Sequence, residues 1–209
     1  MTAPSTFWDK MADRYAAQPV ADENAYQVKL AATRRHLRPD MELFEFGCGT
    51  GSTALVHAPH VKHIRAIDFS PRMVEIARGK AEKAGVSNVT FEVGSIESVV
   101  LPAESLDIVL GMSILHLLKD KRVAIAKAFS ALKPGGLFIS STACISEATP
   151  ALGLVAPLLN RINFGLLPHL DPMTGDQLVA AIESAGFAIE HRWQPSRKAA
   201  LFLIARKPG

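Results

Sequence analysis

Short apolar runs alternate with helix-period patterns through the middle of the chain. The runs at 43–46 (LFEF), 64–67 (IRAI), 89–93 (VTFEV), 106–112 (LDIVLGM) and 137–142 (LFISST) have the length and composition of strands. Between them, Ser70 stands before Pro71 at a first helical position. Met73, Ile76, Ala77 and Ala81 then share one face of a helix that Gly85 stops. Another helical pattern runs from Asp120 to about Leu132, where KPGG breaks it. Near the end, Thr174 and Gln177 are spaced as a capping box for a helix finishing near Gly186. FAIEHRW and AALFLIA follow, joined by a polar turn containing Pro195, and they predict an antiparallel hairpin at the sheet edge. The pattern predicts an α/β fold: a doubly wound, mostly parallel seven-stranded sheet with a C-terminal antiparallel hairpin. No repeat or low-complexity linker interrupts it, so residues 1–209 are expected to form one domain.

Composition narrows the function. A net charge of +3 without any basic run disfavours nucleic acid as partner, because phosphate binding needs clustered Lys and Arg. Cys48 and Cys144 lie too far apart for metal-ligand spacing, so no metal and no disulfide framework is expected. The simplest setting is reducing and cytoplasmic. The first 18 residues are charged throughout and lack the apolar core of a signal peptide. The stretch ALGLVAPLLNRINFGLLPHL is broken by Pro157, Arg161 and Pro168, so no stable membrane insertion is expected.

The segment LFEFGCGTGSTALVHA carries the most chemistry. A strand enters Gly47, Gly49 and Gly51, and a helix-forming run follows. Glycine permits positive φ and close approach of a ligand to the backbone, and a helix start presents free N–H groups. Two ligands suit such a turn, a dinucleotide and S-adenosylmethionine. The dinucleotide fingerprint needs its third glycine one position later, where this chain has Ser52. Glu45, inside the strand, suits a ligand bearing an ammonium and a sulfonium better than one bearing a pyrophosphate.

EFGCGTG resembles motif I of class I S-adenosylmethionine-dependent methyltransferases, and the likeness extends over roughly residues 40–145. The resemblance implies a Rossmann-like methyltransferase fold, S-adenosylmethionine as cofactor and S-adenosylhomocysteine as product. It implies that Asp68, ending the second strand, binds the ribose hydroxyls and that Phe69 covers the adenine. GSIES places Ser95 where the family usually has an acid for the adenine amino group, a weaker acceptor here, and Ile96 against the ring. GMSILHLL puts Met112 beside the methionine part of the cofactor, and LKPGG is the usual lead into the fifth strand. FWDKMADRYAAQP, within 1–38, resembles the lid of small-molecule methyltransferases, with Tyr15 as donor to the cofactor carboxylate and Trp8 as a substrate wall. Tyr26 and Lys29 lie on the next amphipathic helix. The cofactor core is then 39–145, a substrate cap 146–172, and a last helix and hairpin 173–209.

Methyl transfer gains most from aligning acceptor, methyl and sulfur, and a weakly nucleophilic hydroxyl also needs a base. His116 is the candidate base, set against the reading of a pocket-lining histidine with no proton role; His169 and Asp171 are a second pair. The family's motif for methylating base amino groups would fall at GMSILH and is absent. The Leu- and Phe-rich 151–170 stretch, with Arg161 and Phe164, points to an apolar or aromatic small-molecule acceptor, or to a helix packing on the sheet or on a second subunit in a homodimer. The competing expectations are a non-catalytic S-adenosylmethionine-binding partner protein, a protein or RNA methyltransferase and, last, an NAD-type oxidoreductase.

Overall fold

A computed structural model describes residues 5–162 and 168–209. The chain folds into two compact units, Met1–Val99 and Val100–Gly209.

The first unit contains helices α1 (Ser5–Ala17) and α2 (Glu23–Arg34), strand β1 (Glu42–Phe46), helix α3 (Ser52–His57), strand β2 (His63–Asp68), helix α4 (Pro71–Ala84) and strand β3 (Val89–Val93). β1 pairs with β2 and β2 with β3, both in parallel, with Glu45 opposite Ala66 and Asp68 opposite Val93. Leu43, Phe44 and Phe46 are all buried, along with Glu45 between them. A parallel strand covered on both faces reads as an unbroken apolar run, which is why 43–46 does not alternate. Each such side chain contributes about 1.5–3 kcal/mol by leaving water. α4 begins and ends where its sequence predicts. The Ser70 hydroxyl accepts the Met73 N–H at 3.2 Å, and Gly85 closes the helix at φ 66°.

The second unit holds strand β4 (Leu106–Met112), helix α5 (Lys121–Ala131), strand β5 (Leu132–Thr142), helices α6 (Ile145–Ala148), α7 (Pro150–Ile162) and α8 (Gly175–Ser184), and strands β6 (Ala188–Trp193) and β7 (Leu201–Arg206). β4 and β5 are parallel, while β7 runs antiparallel to both β5 and β6. β7 lies between the two and is buried over Leu201–Ala205, whereas β6 is the half-exposed outer strand. The capping box at Thr174 is present in full. One boundary differs from expectation. α5 stops before KPGG as expected, but β5 starts at Leu132 rather than 137, so KPGG forms its irregular start. Leu106 pairs with Leu132 and Ile108 with Leu137, and the extra residues, with Gly135 at φ 77°, are taken up between.

The strand order is β3-β2-β1 in the first unit and β4-β5-β7-β6 in the second, seven strands of a mixed α/β fold with an antiparallel C-terminal end. No helix among the described residues is long and apolar enough to cross a membrane.

Candidate active site

β1 delivers the chain into Gly47, Gly49 and Gly51, all left-handed, at φ 65°, 52° and 77°. The glycines do different work. A Cβ on Gly51 would stand 2.7 Å from the Phe91 ring and 2.9 Å from the Ala77 methyl, so this residue lets α3 pack against β3 and α4. A Cβ on Gly49 would meet only the Tyr15 ring edge, at 3.7 Å, so the constraint there is the backbone angle. The Cys48 N–H donates to the Ile67 carbonyl at 3.0 Å and ties the loop to the end of β2. Lys80 braces it from α4, donating to the Thr50 hydroxyl at 2.8 Å and the Ser52 hydroxyl at 3.3 Å. The Cys48 thiol is buried, and burial pushes its pKa well up, so it is a poor nucleophile.

Two acids flank this loop. Glu45 is 1% exposed, and its Oε2 has no hydrogen-bond partner. Burial, then the charge of Asp68, pushes its pKa up to about 8, against a bond from the Ala54 backbone. An unanswered buried carboxylate oxygen costs about 1–3 kcal/mol or more, and a cation at that position would offset it. Asp68 is also buried, but each oxygen is engaged. Oδ2 accepts from Gly49 N–H and Oδ1 from Ser70 N–H, both at 2.9 Å. Burial raises its pKa while those two bonds oppose the shift. A carboxylate oxygen accepts two bonds, so one acceptor position per oxygen is left for a pair of hydroxyls.

Tyr15 and Tyr26 belong to the same cluster. The Tyr15 ring is half exposed, yet its hydroxyl pKa is raised by burial and then by Asp68 and Glu45. The Tyr26 hydroxyl lies 3.4 Å from the Thr53 hydroxyl; burial raises its pKa, and Glu45 adds to the effect. Ile96 is buried and Phe69 half-buried. Ser95 is turned to local use: its hydroxyl meets that of Ser98 at 3.2 Å and accepts the Ser98 N–H at 3.4 Å. Trp8 is half-buried on α1, edge-on to Phe7 at 5.2 Å between centroids.

In the second unit, half-buried Met112 ends β4, and Ser113 follows at φ 58°, a strained angle for a residue with a Cβ. His116 sits in a short 3-10 turn, Leu115–Leu117. Its Nδ1 is buried without a partner, and burial lowers its pKa to about 4, with Asp171 working the other way. The Asp171 N–H donates to the His116 carbonyl at 2.8 Å, and the Asp171 carboxylate is held by Lys121 at 2.5 Å. Burial also lowers the pKa of His169. On α7, Leu154 and Leu158 are 84% and 61% exposed and Arg161 is exposed. Asn160 bonds both ways to the Leu170 backbone, at 2.7 and 3.1 Å, and so ties α7 to the returning chain. Phe164 lies outside the described residues. A cavity of about 750 Å³, lined by Lys121, Arg122, Asp171, Gln177 and residues between α5 and α8, includes Asp171 of the second candidate pair but none of the residues expected to bind the cofactor. Among the described residues no cluster is suited to a metal ion.

Residues 37–164 match the model of a methyltransferase domain. The chain belongs to this methyltransferase family. It is 31% identical over 158 residues to the uncharacterized methyltransferase YcgJ of Bacillus subtilis (strain 168), across 76% of this chain and 60% of that protein. It is 26% identical to a ubiquinone biosynthesis O-methyltransferase of Methylobacterium sp. (strain 4-46), across 98% of this chain and 91% of that one. The crystal structure of an S-adenosylmethionine dependent methyltransferase from Mesorhizobium loti shares the fold, with a TM-score of 0.70 at 22% identity over 87% of this chain and 97% of that one.

Membership of the methyltransferase family implies S-adenosylmethionine, and the residues present fit it. Glu45 offers an unpartnered buried acceptor where a cation is needed, and the left-handed glycines open the backbone beside it. The first unit brings together Tyr15, Glu45, the three glycines and Asp68. In the second unit, His116 meets the 168–171 segment through Asp171. Sequence reasoning missed Asp9, Arg72 and Lys80, which brace the first unit's site from outside. The one available signal was a pair of acids four apart in FWDKMADR, which puts both on one helix face.

Proposed function

We propose that this methyltransferase carries a methyl group from S-adenosylmethionine to a small, apolar or aromatic metabolite by in-line displacement, with residues 1–209 acting as one catalytic domain. The observation that carries this is Glu45, a fully buried acid with an unpartnered oxygen beside three left-handed glycines. The cofactor supplies an electrophilic methyl on a sulfonium; this chain binds it, aligns the acceptor and excludes water.

Glu45 receives the positive end of the cofactor, and Gly47, Gly49 and Gly51 allow the backbone to approach it. Asp68 takes the ribose hydroxyls on its remaining acceptor positions. Phe69 and Ile96 enclose the adenine, with Ser95 a weak acceptor because its hydroxyl already serves Ser98. Tyr15 donates to the cofactor carboxylate, and Met112 lies along the methionine part. Trp8, Arg161 and Phe164 meet the acceptor, and the apolar face of α7 selects its chemistry.

His116 takes the acceptor's proton. Burial keeps the ring neutral near pH 7, so it is free to accept a proton, but it is a weak base. Such a base suits an acceptor that is already acidic, a phenol or carboxylic acid rather than an aliphatic alcohol. The O-methyltransferase name of the Methylobacterium relative agrees with oxygen as the methylated atom. The test is to incubate the protein with methyl-labelled S-adenosylmethionine and a small-molecule extract, then separate organic, aqueous and macromolecular fractions. Label in an organic-soluble methyl ester or aryl methyl ether is the expected result. Label in macromolecules only would overturn the acceptor class.

A further inference from the structure

We propose that Asp9 and Asp13 of α1 form an electrostatic latch with Ser70 and Arg72 at the start of α4, and that this latch sets how fast the cofactor leaves. The inference rests on the reading of the first unit as an S-adenosylmethionine site, and the four residues act as positioning residues for it.

Asp9 and Asp13 are one helical turn apart on the same face of α1. The Ser70 hydroxyl donates to Asp9 Oδ1 at 2.5 Å, and the Arg72 backbone N–H approaches the same oxygen at 3.3 Å. The Arg72 guanidinium grips Asp13 with two bonds, Nε to Oδ2 at 3.2 Å and Nη2 to Oδ1 at 2.5 Å, and its Nη1 holds Glu75 at 2.7 Å. The fork geometry fixes direction as well as distance. Two residues past Asp13, Tyr15 lies against Gly49. Ser70 is the junction: its hydroxyl bonds to α1 while its N–H bonds to Asp68 Oδ1. The position of α1 is therefore tied to the acid that faces the ribose.

The outer half of the latch is suited to opening. The side chains of Arg72 and Asp13 are 40% and 69% exposed, so their attraction is weak and screened by salt. A helix fastened by such a pair can lift without unfolding the strands beneath.

The experiment is stopped-flow dissociation of S-adenosylhomocysteine from the wild type, Arg72→Gln, Asp13→Asn and the double variant, at low and high salt, with hydrogen exchange of α1 amides alongside. Each single variant should release the ligand about 2- to 5-fold faster, as expected for losing one exposed ion pair. The double variant should be no faster than either single one, because the pair acts as a unit. Salt should speed release from the wild type and not from the variants, and α1 amides should exchange faster in all three. A wild type that binds while the variants release it at unchanged rates would overturn the latch alone. A wild type that binds no S-adenosylhomocysteine would overturn the cofactor site and the latch with it.

Discussion

Residues 42–96 and residues 145–161 present different surfaces. In the first stretch, polar groups around the glycine turn are answered one by one: Asp68 by Gly49 and Ser70, Thr50 by Lys80, Cys48 N–H by Ile67. Glu45 Oε2 stands out as the oxygen left unanswered. In the second stretch, α7 turns Leu154, Val155 and Leu158 outward, and the Asn160 side chain ties it to the chain that returns. A cofactor of fixed structure can be met by fixed backbone angles and directed hydrogen bonds. An apolar acceptor needs only surface of the right character. The two kinds of site therefore leave different traces in a sequence, and they respond differently to substitution.

The larger effect is expected at Glu45. Its pKa in the folded chain, about 8, exceeds its ordinary value of 4.5. The folded state then holds a proton that the unfolded state releases, so stability is lost as pH rises from about 4.5 to 8. Glu45→Gln removes that dependence. In chemical denaturation of the ligand-free protein, the variant should gain roughly 3 kcal/mol on the wild type between pH 5 and pH 8, while binding S-adenosylmethionine more weakly. A pH-independent gap would mean that Glu45 is ionised and answered in the folded chain, which removes the argument for a cation beside it.

The smaller effect is expected on α7. Leu154→Gln and Leu158→Gln replace exposed leucines with another good helix former, so stability should change by less than about 0.5 kcal/mol. Affinity for S-adenosylhomocysteine should be unchanged, and turnover of an apolar acceptor should fall. A loss of more than about 2 kcal/mol would show instead that this face is covered, as in a dimer.

The sequence carried the fold well because its signals are local. Ser70, Pro71 and Gly85 bound α4, and Thr174 with Gln177 cap α8. The run 43–46 announces a fully buried strand, and the three alternate glycines mark the turn that follows. KPGG ends α5 as read, but it hid the first residues of β5, because proline and glycine normally end pairing and here an irregular strand start absorbs both. The bracing of the site was illegible for another reason. Ser70 with Asp9, Arg72 with Asp13, and Lys80 with Thr50 join residues 30 or more positions apart. No short-range pattern records such pairs. Ser95 shows the converse: its position marks it for adenine, but only the structure reveals that Ser98 already occupies its hydroxyl.

The central claim is that the glycine turn of the first unit serves a cofactor with a cationic end and a ribose, not a dinucleotide. Calorimetric titration of the wild type and Asp68→Ala with S-adenosylhomocysteine and with NAD tests it most directly. The account predicts micromolar binding of S-adenosylhomocysteine, a loss of about 100-fold or more in Asp68→Ala, close to 3 kcal/mol, and no heat with NAD. Equal affinity in the two proteins, or binding of NAD, would contradict it.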